Sequence, residues 1–266
     1  FSGQSFDSDV QRDVSAVFAE MAIPLERAEI QLAVRSEDYG GTVGRTTDPR
    51  VAVSFNPIDS VTLRGSWGTS FRAPPLDRLS GASTGSTRLF QANTGSDVVR
   101  PTVRIGQDLQ PEEADSMTLG LVYESQGQLK ITVDLWDYDY DGLLTTENAQ
   151  ELIDSICTTG GCDLSNPRAS QLEFDSAGEI SQVTIGYVNA ARVQARGMDF
   201  GVNWGTDLSW GTYDMILETT FLDSYDIQTS PGGPTTSITG NLNAGNFSRA
   251  LPEVRANLTN SFGMGD

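Results

Sequence analysis

Histidine is absent from this 266-residue chain, and only two cysteines occur. Without an imidazole, Ser-His-Asp and Cys-His catalysis are excluded, and a zinc site built on two thiols alone would leave coordination positions unfilled. Carboxylates are plentiful but fall on solvated faces, and the glycines form no phosphate-cradling loop, so neither an enzyme, a metal site nor a cofactor is expected. Basic residues are scarce as well: 17 Lys and Arg stand against 36 Asp and Glu, a formal charge of −19. A nucleic-acid partner is excluded, because it demands a basic stripe that neutralises phosphates. The acidic excess belongs with exposed, solvated loops. Missing too is any run of the roughly 20 apolar residues that a membrane helix requires. If this chain enters a bilayer, it does so as strands.

What the chain does have is alternation. A period of two sends successive side chains to opposite faces of a strand. Ile30, Leu32 and Val34 alternate with Glu29, Gln31 and Arg35; Val51, Val53 and Phe55 with Ala52 and Ser54; Val61, Leu63 and Trp67 with Thr62, Arg64 and Ser66. Further on, Met117, Leu119, Leu121 and Tyr123 oppose Ser116 and Thr118, and Leu129, Ile131, Val133 and Leu135 oppose Lys130, Thr132 and Asp134. Met198, Phe200, Val202 and Trp204, then Met215, Leu217 and Phe221, then Val254, Ala256 and Leu258 continue the pattern, and a less regular strand over 12–24 opens it. None of these apolar faces carries a charge, which matters because Lys or Arg facing lipid at mid-bilayer costs roughly 2–4 kcal/mol.

A soluble antiparallel sandwich also alternates. Two further features favour a membrane barrel. The connections near 24–27, 57–60, 125–128 and 205–209 are tight, whereas those near 39–49, 71–112, 141–187 and 225–250 are long. A meander in which short and long connections take turns has one compact rim and one looped rim. Phe55, Tyr123, Trp204 and Phe262 end strands at the short turns, with Trp67 and Phe221 at the opposite ends, as two aromatic girdles would require. The expected fold is therefore an all-β, antiparallel, up-and-down transmembrane barrel. About nine strands are countable, and bacterial single-chain barrels close with an even number, so the barrel is expected to be incomplete, with 263–266 read as a turn before a further strand.

Three segments resemble chemistry. Asp137-Tyr-Asp139-Tyr-Asp141-Gly142 copies the first half of an EF-hand loop, but its twelfth position is Asn148 rather than glutamate, and strand continuation is the preferred reading. In that register Trp136, Tyr138 and Tyr140 point inward near the looped rim, as candidate ligand contacts or as simple packing against loops. Residues 146–156 have helical spacing, with Ala149, Leu152 or Ile153, and Ile156 on one face and Thr145 or Thr146 as cap. Cys157 and Cys162 follow at a spacing that a tight turn can close into a disulfide, contributing about 2 kcal/mol and implying an oxidising compartment; free or metal-bound thiols are the alternative. Residues 80–97, rich in Ser, Gly and Thr, read as a polar, mobile loop.

The stretch from Leu63 to Leu79, with Phe71-Arg72-Ala73-Pro74 at a strand end, resembles the TonB-dependent outer-membrane receptors. So, in the same order, do Pro111-Glu112-Glu113 leading into Met117 to Leu121, Val188-Asn189-Ala190 through Phe200, and Leu251 to Leu258. The resemblance implies that residues 1–266 are part of a barrel of about 22 strands with a plugged lumen, in the bacterial outer membrane. It implies as partners outer-membrane lipid, a plug domain of the same protein, a TonB-type energy-coupling protein engaged through an N-terminal part, and a scarce small-molecule nutrient: a ferric siderophore, cobalamin or an oligosaccharide. Plug and coupling segment are expected outside this stretch. On this reading Glu29, Arg35, Arg64, Asp134, Glu218 and Arg255 line the lumen or face the plug, and Phe71 and Arg72 join the three aromatics as candidate ligand contacts. The competing functions are a passive porin and a secreted carbohydrate-binding sandwich.

Overall fold

The computed structural model describes residues 11–41, 43–79, 82–106, 109–125, 128–228, 233–240 and 251–264. The first four strands are β1 (Ser15–Pro24), β2 (Ala28–Asp38), β3 (Arg45–Ile58) and β4 (Val61–Arg72). A short helix α1 (Leu76–Leu79) and the hairpin β5 (Ala82–Gln91) and β6 (Ser96–Ile105) precede β7 (Glu112–Ser125) and β8 (Leu129–Thr146). Then come α2 (Ala149–Ile156), the two-residue strands β9 (Cys157–Thr158) and β10 (Gly161–Cys162), a 3-10 turn (Pro167–Gln171) and β11 (Leu172–Phe174). The long β12 (Ile180–Leu208), β13 (Gly211–Gln228), β14 (Thr235–Ser237) and β15 (Val254–Met264) complete the described chain.

Nine of these strands form one antiparallel meander, in the order β1-β2-β3-β4-β7-β8-β12-β13-β15. The sheet is open, with β1 and β15 at its edges among the described residues. Its apolar face is not the inside of a sandwich: Leu119 is 55 % and Leu258 60 % exposed. At the compact rim the turns hold only residues 25–27, 59–60, 126–128 and 209–210. Near that rim Trp204, Tyr213 and Phe262 form an aromatic cluster, with ring centroids 5.7 and 4.9 Å apart.

Cross-strand register shows how the apolar face ends. One row runs through Val53, Gly65, Leu119, Leu135, Met198 and Phe221 without a charge. The next row toward the looped rim is apolar on β2 to β7, through Leu32, Val51, Trp67 and Met117, then reaches Asp137 on β8 and Arg196 on β12. The apolar band thus crosses the rows obliquely, as strands tilted to a bilayer normal require. Above it the same face is ionic: Arg196 pairs with Asp137 at 2.6 Å, and Arg192 with Asp139.

Above the band neither face has to meet hydrocarbon, so alternation fades while pairing continues. Four expectations change for that reason. The connection read as 39–49 is only 39–44, because polar Thr46, Thr47 and Asp48 stay in β3 opposite β2. The connection read as 71–112 shrinks to 73–111 between β4 and β7, that read as 141–187 shrinks to 147–179 because β8 and β12 extend far beyond their apolar stretches, and the last begins at 229 because β13 continues to Gln228. Residues 263 and 264 belong to β15, while the rest of the turn read there lies outside the described residues.

The long connections are not structureless. The segment expected to be a mobile loop contains β5, which pairs with β6; β6 in turn runs parallel to β12, Thr102–Ile105 beside Val183–Gly186. β11 flanks the same part of β12 on its other side. Against this small sheet α2 buries Leu152, Ile153 and Ile156 together with Leu89, Val183 and Ile185, each large aliphatic side chain contributing roughly 1.5–3 kcal/mol. The helix face is the expected one, but its cap is Asn148, whose side-chain oxygen accepts from the backbone of Gln150 at 3.0 Å. Gln150 then clamps the β5 backbone by donating to Phe90 O and accepting from Phe90 N, both at 2.8 Å. Cys157 and Cys162 are disulfide-bonded at the end of α2.

Candidate functional site

The face opposite the apolar band is built in layers. On the compact-rim side, Glu218 stands in a row with Thr132, Gly201 and Asn257. One row further up carries Glu29, Arg64, Asp134, Asp199 and Arg255 on successive or alternate strands. Arg64 Nη2 donates to both carboxylate oxygens of Asp134, at 2.7 and 2.6 Å, and its Nε adds a contact of 2.9 Å. Asp199 lies directly opposite Asp134.

The next inward position along β8 begins an aromatic ladder. Trp136, Tyr138 and Tyr140 succeed one another at alternate positions, with ring centroids 5.7 and 6.2 Å apart and the two tyrosine planes within 24°. Their cross-strand neighbours are small: Thr118 and Gly197 beside Trp136, Ser116 and Ala195 beside Tyr138, Ala114 and Val193 beside Tyr140. The Trp136 ring lies over Gly197 so closely that a Cβ there would stand 2.4 Å from its Cζ2. A glycine in a strand interior ordinarily weakens it; here it makes room for the indole. Among the described residues the Trp136 ring nitrogen and the Tyr138 and Tyr140 hydroxyls make no hydrogen bond, and Tyr140 is 37 % exposed.

At the looped end of the ladder the strands are pinned. Gly142 adopts φ 63°, left-handed backbone that suits glycine, and irregular pairing around Asn189 and Ala191 follows. The Asn189 amide fastens this irregularity by donating to Gly142 O and Gln110 O, both at 2.7 Å, and accepting from Gln110 N at 2.8 Å. The glycine that mimics a calcium loop in the sequence is thus the bend at which β8 parts from β7 while staying paired with β12. Among the described residues no cluster of His, Cys, Asp and Glu could hold a metal ion.

A cleft of about 510 Å³ opens at the β1–β4 side, lined by Phe18, Arg35, Glu37, Arg50 and Phe71. Arg35 pairs with the buried Glu37. Tyr39 donates to Glu37 at 3.0 Å and meets the Phe71 ring edge-on at 5.3 Å. Burial first, then the bond to Glu37, push the Tyr39 hydroxyl above its ordinary range, so it stays a donor. A larger hollow of about 680 Å³ lies on the opposite face, lined by Leu119, Leu135, Met198, Phe221 and Val254.

A family model described as the TonB dependent receptor-like β-barrel matches residues 1–265. The chain belongs to the TonB-dependent receptor β-barrel family. That family resides in the bacterial outer membrane and consists of receptors and transporters rather than enzymes. This receptor-family chain is similar in fold to a mutant ferric enterobactin receptor from Pseudomonas aeruginosa in complex with enterobactin, at 15 % identity and a TM-score of 0.61, over 94 % of this chain and 30 % of that one. It is also similar to the siderophore receptor PirA from Acinetobacter baumannii, at 12 % identity, TM-score 0.55, and coverage of 80 % and 30 %. A third likeness is to the RagAB peptide transporter, at 13 % identity, TM-score 0.52, and coverage of 80 % and 22 %. The chain therefore spans about 30 % of the length of the first of these structures. No curated protein matches it.

Within this receptor barrel the five residues read as candidate ligand contacts do not form one cluster. Trp136, Tyr138 and Tyr140 stand together. Phe71 packs on Tyr39 instead, and Arg72 is engaged by Glu112, a buried carboxylate that also accepts from Leu144 N at 2.7 Å. Glu29, Arg35, Arg64, Asp134, Glu218 and Arg255 all fall on the face opposite the apolar band, by register. Sequence reasoning missed Asp199, Arg50 and the two glycines, Gly120 and Gly197, that let large inward side chains cross. Alternation already placed Asp199 inward; what it lacked was the register that sets it beside Asp134.

Proposed function

We propose that this chain forms part of the wall of an outer-membrane receptor that imports a scarce nutrient with energy relayed from the inner membrane. The observation that carries this reading is the wall itself: nine tilted antiparallel strands with an apolar outward band, a folded looped rim and a TonB-dependent receptor match along the chain. On this reading the apolar face meets outer-membrane lipid. The charged row of Glu29, Arg64, Asp134 and Arg255, with Arg35 and Glu218 above and below it, faces the lumen and its plug, and a TonB-type protein supplies the energy. The relatives' names point to ferric siderophores and peptides; the candidate nutrients for this chain are a ferric siderophore, cobalamin or an oligosaccharide. Trp136, Tyr138 and Tyr140 are the residues proposed to touch it, since they present exposed ring area beside small neighbours near the looped rim. The test is uptake by intact cells carrying the receptor. Nutrient-specific uptake that stops when a protonophore collapses the inner-membrane gradient is the expected result. Solute entry that persists with the protonophore, accompanied by steady ion conductance of the purified protein in a planar bilayer, would make it a passive porin instead.

A further inference from the structure

The receptor reading above turns the apolar face of the wall to lipid. Resting on it, we infer that the hollow on that face seats one kind of lipid in particular, an aminophospholipid of the outer leaflet whose primary ammonium is held by Asp223 and Glu253. The hollow, of about 680 Å³, lies at the upper edge of the apolar band. Its floor is one register row, Leu119, Leu135, Met198, Phe221 and Val254, on successive strands of the meander. The row below, through Leu121, Val133, Phe200 and Ala256, is free of charge as well. An acyl chain laid downward from the hollow therefore meets only uncharged side chains, and its binding strengthens with the apolar area it covers.

The ledge above that floor selects the headgroup. Across β8, β12, β13 and the start of β15 it carries Asp137, Arg196, Asp223 and Glu253, so Arg196 is the one cation among the described residues that line the hollow. Asp137 and Arg196 pair with each other at 2.6 Å. The side chains of Asp223 and Glu253 have no ion pair or hydrogen bond among the described residues. Asp223 reaches the ledge through an irregularity of the sheet. Gly197 pairs with Leu222 and Arg196 with Ser224, which leaves Asp223 as the extra residue of a bulge, and bulges re-aim side chains. Unpaired carboxylates at the edge of hydrocarbon call for a cationic donor. A primary ammonium brings the charge and three N–H groups to carboxylate acceptors. A quaternary ammonium has the charge without the donors, and a purely anionic headgroup is repelled. In a phosphoethanolamine group the two-carbon link matches the ~4.8 Å between neighbouring strands, so an ammonium on Asp223 sets the phosphate beside Arg196.

The experiment places the whole receptor in nanodiscs holding equal amounts of phosphatidylethanolamine, phosphatidylcholine and phosphatidylglycerol with matched acyl chains, in one arm with lipopolysaccharide added. Lipids that stay bound after transfer to detergent are read by native mass spectrometry. Phosphatidylethanolamine is expected to be retained about tenfold over the other two, and the preference to vanish in the double variant Asp223→Asn, Glu253→Gln at an unchanged melting temperature. Glu253→Gln alone, at a position outside any strand, should weaken it about threefold. A control that removes the same charge at the compact rim, Asp59→Asn with Glu124→Gln, should keep it. Phosphatidylcholine or phosphatidylglycerol retained as firmly as phosphatidylethanolamine overturns the headgroup assignment, and so does lipopolysaccharide bound in its place. A phosphatidylethanolamine preference that survives the double variant overturns the hollow as its seat. The receptor reading stands through all three of these failures, since it falls only if uptake proves insensitive to the protonophore.

Discussion

Arg64 on β4 reaches over Gly120 of β7 to grip Asp134 on β8, with contacts of 2.6 to 2.9 Å. A Cβ on Gly120 would stand 2.1 Å from Asp134 Oδ1 and 2.8 Å from Arg64 Nε. The pair is half-exposed on its arginine side, so its loss alone costs little: Arg64→Ala is expected to destabilise by about 1 kcal/mol. Gly120→Ala is expected to cost more, about 1–3 kcal/mol, because it forces the two charges apart without removing either. Urea unfolding of the receptor in lipid measures both. The decisive comparison is Gly120→Ala in an Asp134→Ala background, where the penalty of the alanine should nearly vanish; a penalty of unchanged size would mean that backbone strain, not the ion pair, disfavours it.

That glycine also shows where sequence reading stops. The nine wall strands and the face to which each side chain points are legible because hydrocarbon enforces alternation on one side. Leu119 and Leu135 needed no structure to be placed. Gly120 reads only as a strand glycine, since its meaning depends on Arg64 and Asp134, residues brought beside it by long-range register. The rim fails for a complementary reason. Thr102, Gln91 and Gln150 are polar, yet the first is fully buried and the two amides hydrogen-bond backbone groups in place of water, so a Ser- and Thr-rich segment that looks mobile is a hairpin. The α2 face was legible from spacing, whereas its cap was not, because Thr145, Thr146 and Asn148 are all competent capping residues and the extension of β8 decides among them.

The folded rim should behave as one cooperative unit distinct from the wall. Ile153 is fully buried among Leu152, Ile156, Val183 and Ile185, and Ile153→Ala is expected to cost about 2–5 kcal/mol of that unit's stability. Reduction of the Cys157–Cys162 bond should remove about 2 kcal/mol from the same unit. Hydrogen exchange read by mass spectrometry should show faster exchange over 82–105 and 149–185 in both cases, with 112–125 and 198–208 unchanged. Faster exchange in the wall strands as well would mean that rim and barrel fold together.

The Trp136 indole and the backbone oxygen of Phe221 together occupy the space that a side chain on Gly197 would fill. Gly197→Ala is therefore expected to tilt the indole away from β12 and to disturb its stacking on Tyr138, at a cost of about 1–3 kcal/mol. Near-UV circular dichroism reports this. An unchanged spectrum in the single variant would place the indole elsewhere.

The β5–β6 hairpin carries an ion pair that gives it a pH dependence. Arg88 donates to both Asp97 oxygens, at 2.9 and 2.8 Å, and this hydrogen bonding holds the Asp97 carboxyl below its ordinary value while raising the guanidinium's. A carboxyl whose folded pKa is depressed stabilises the fold fully above its unfolded value, about 3.9, and that contribution is lost as pH falls through the lower folded value. The hairpin should therefore be indifferent to pH from neutral down to about 5 and loosen below about 4. The measure is the protection factor of the 88–98 amides, corrected for the intrinsic exchange rate at each pH. Asp97→Asn should remove most of the acid-induced loosening at these amides, and a variant that loosens as the native hairpin does would assign the transition to other carboxylates of the rim.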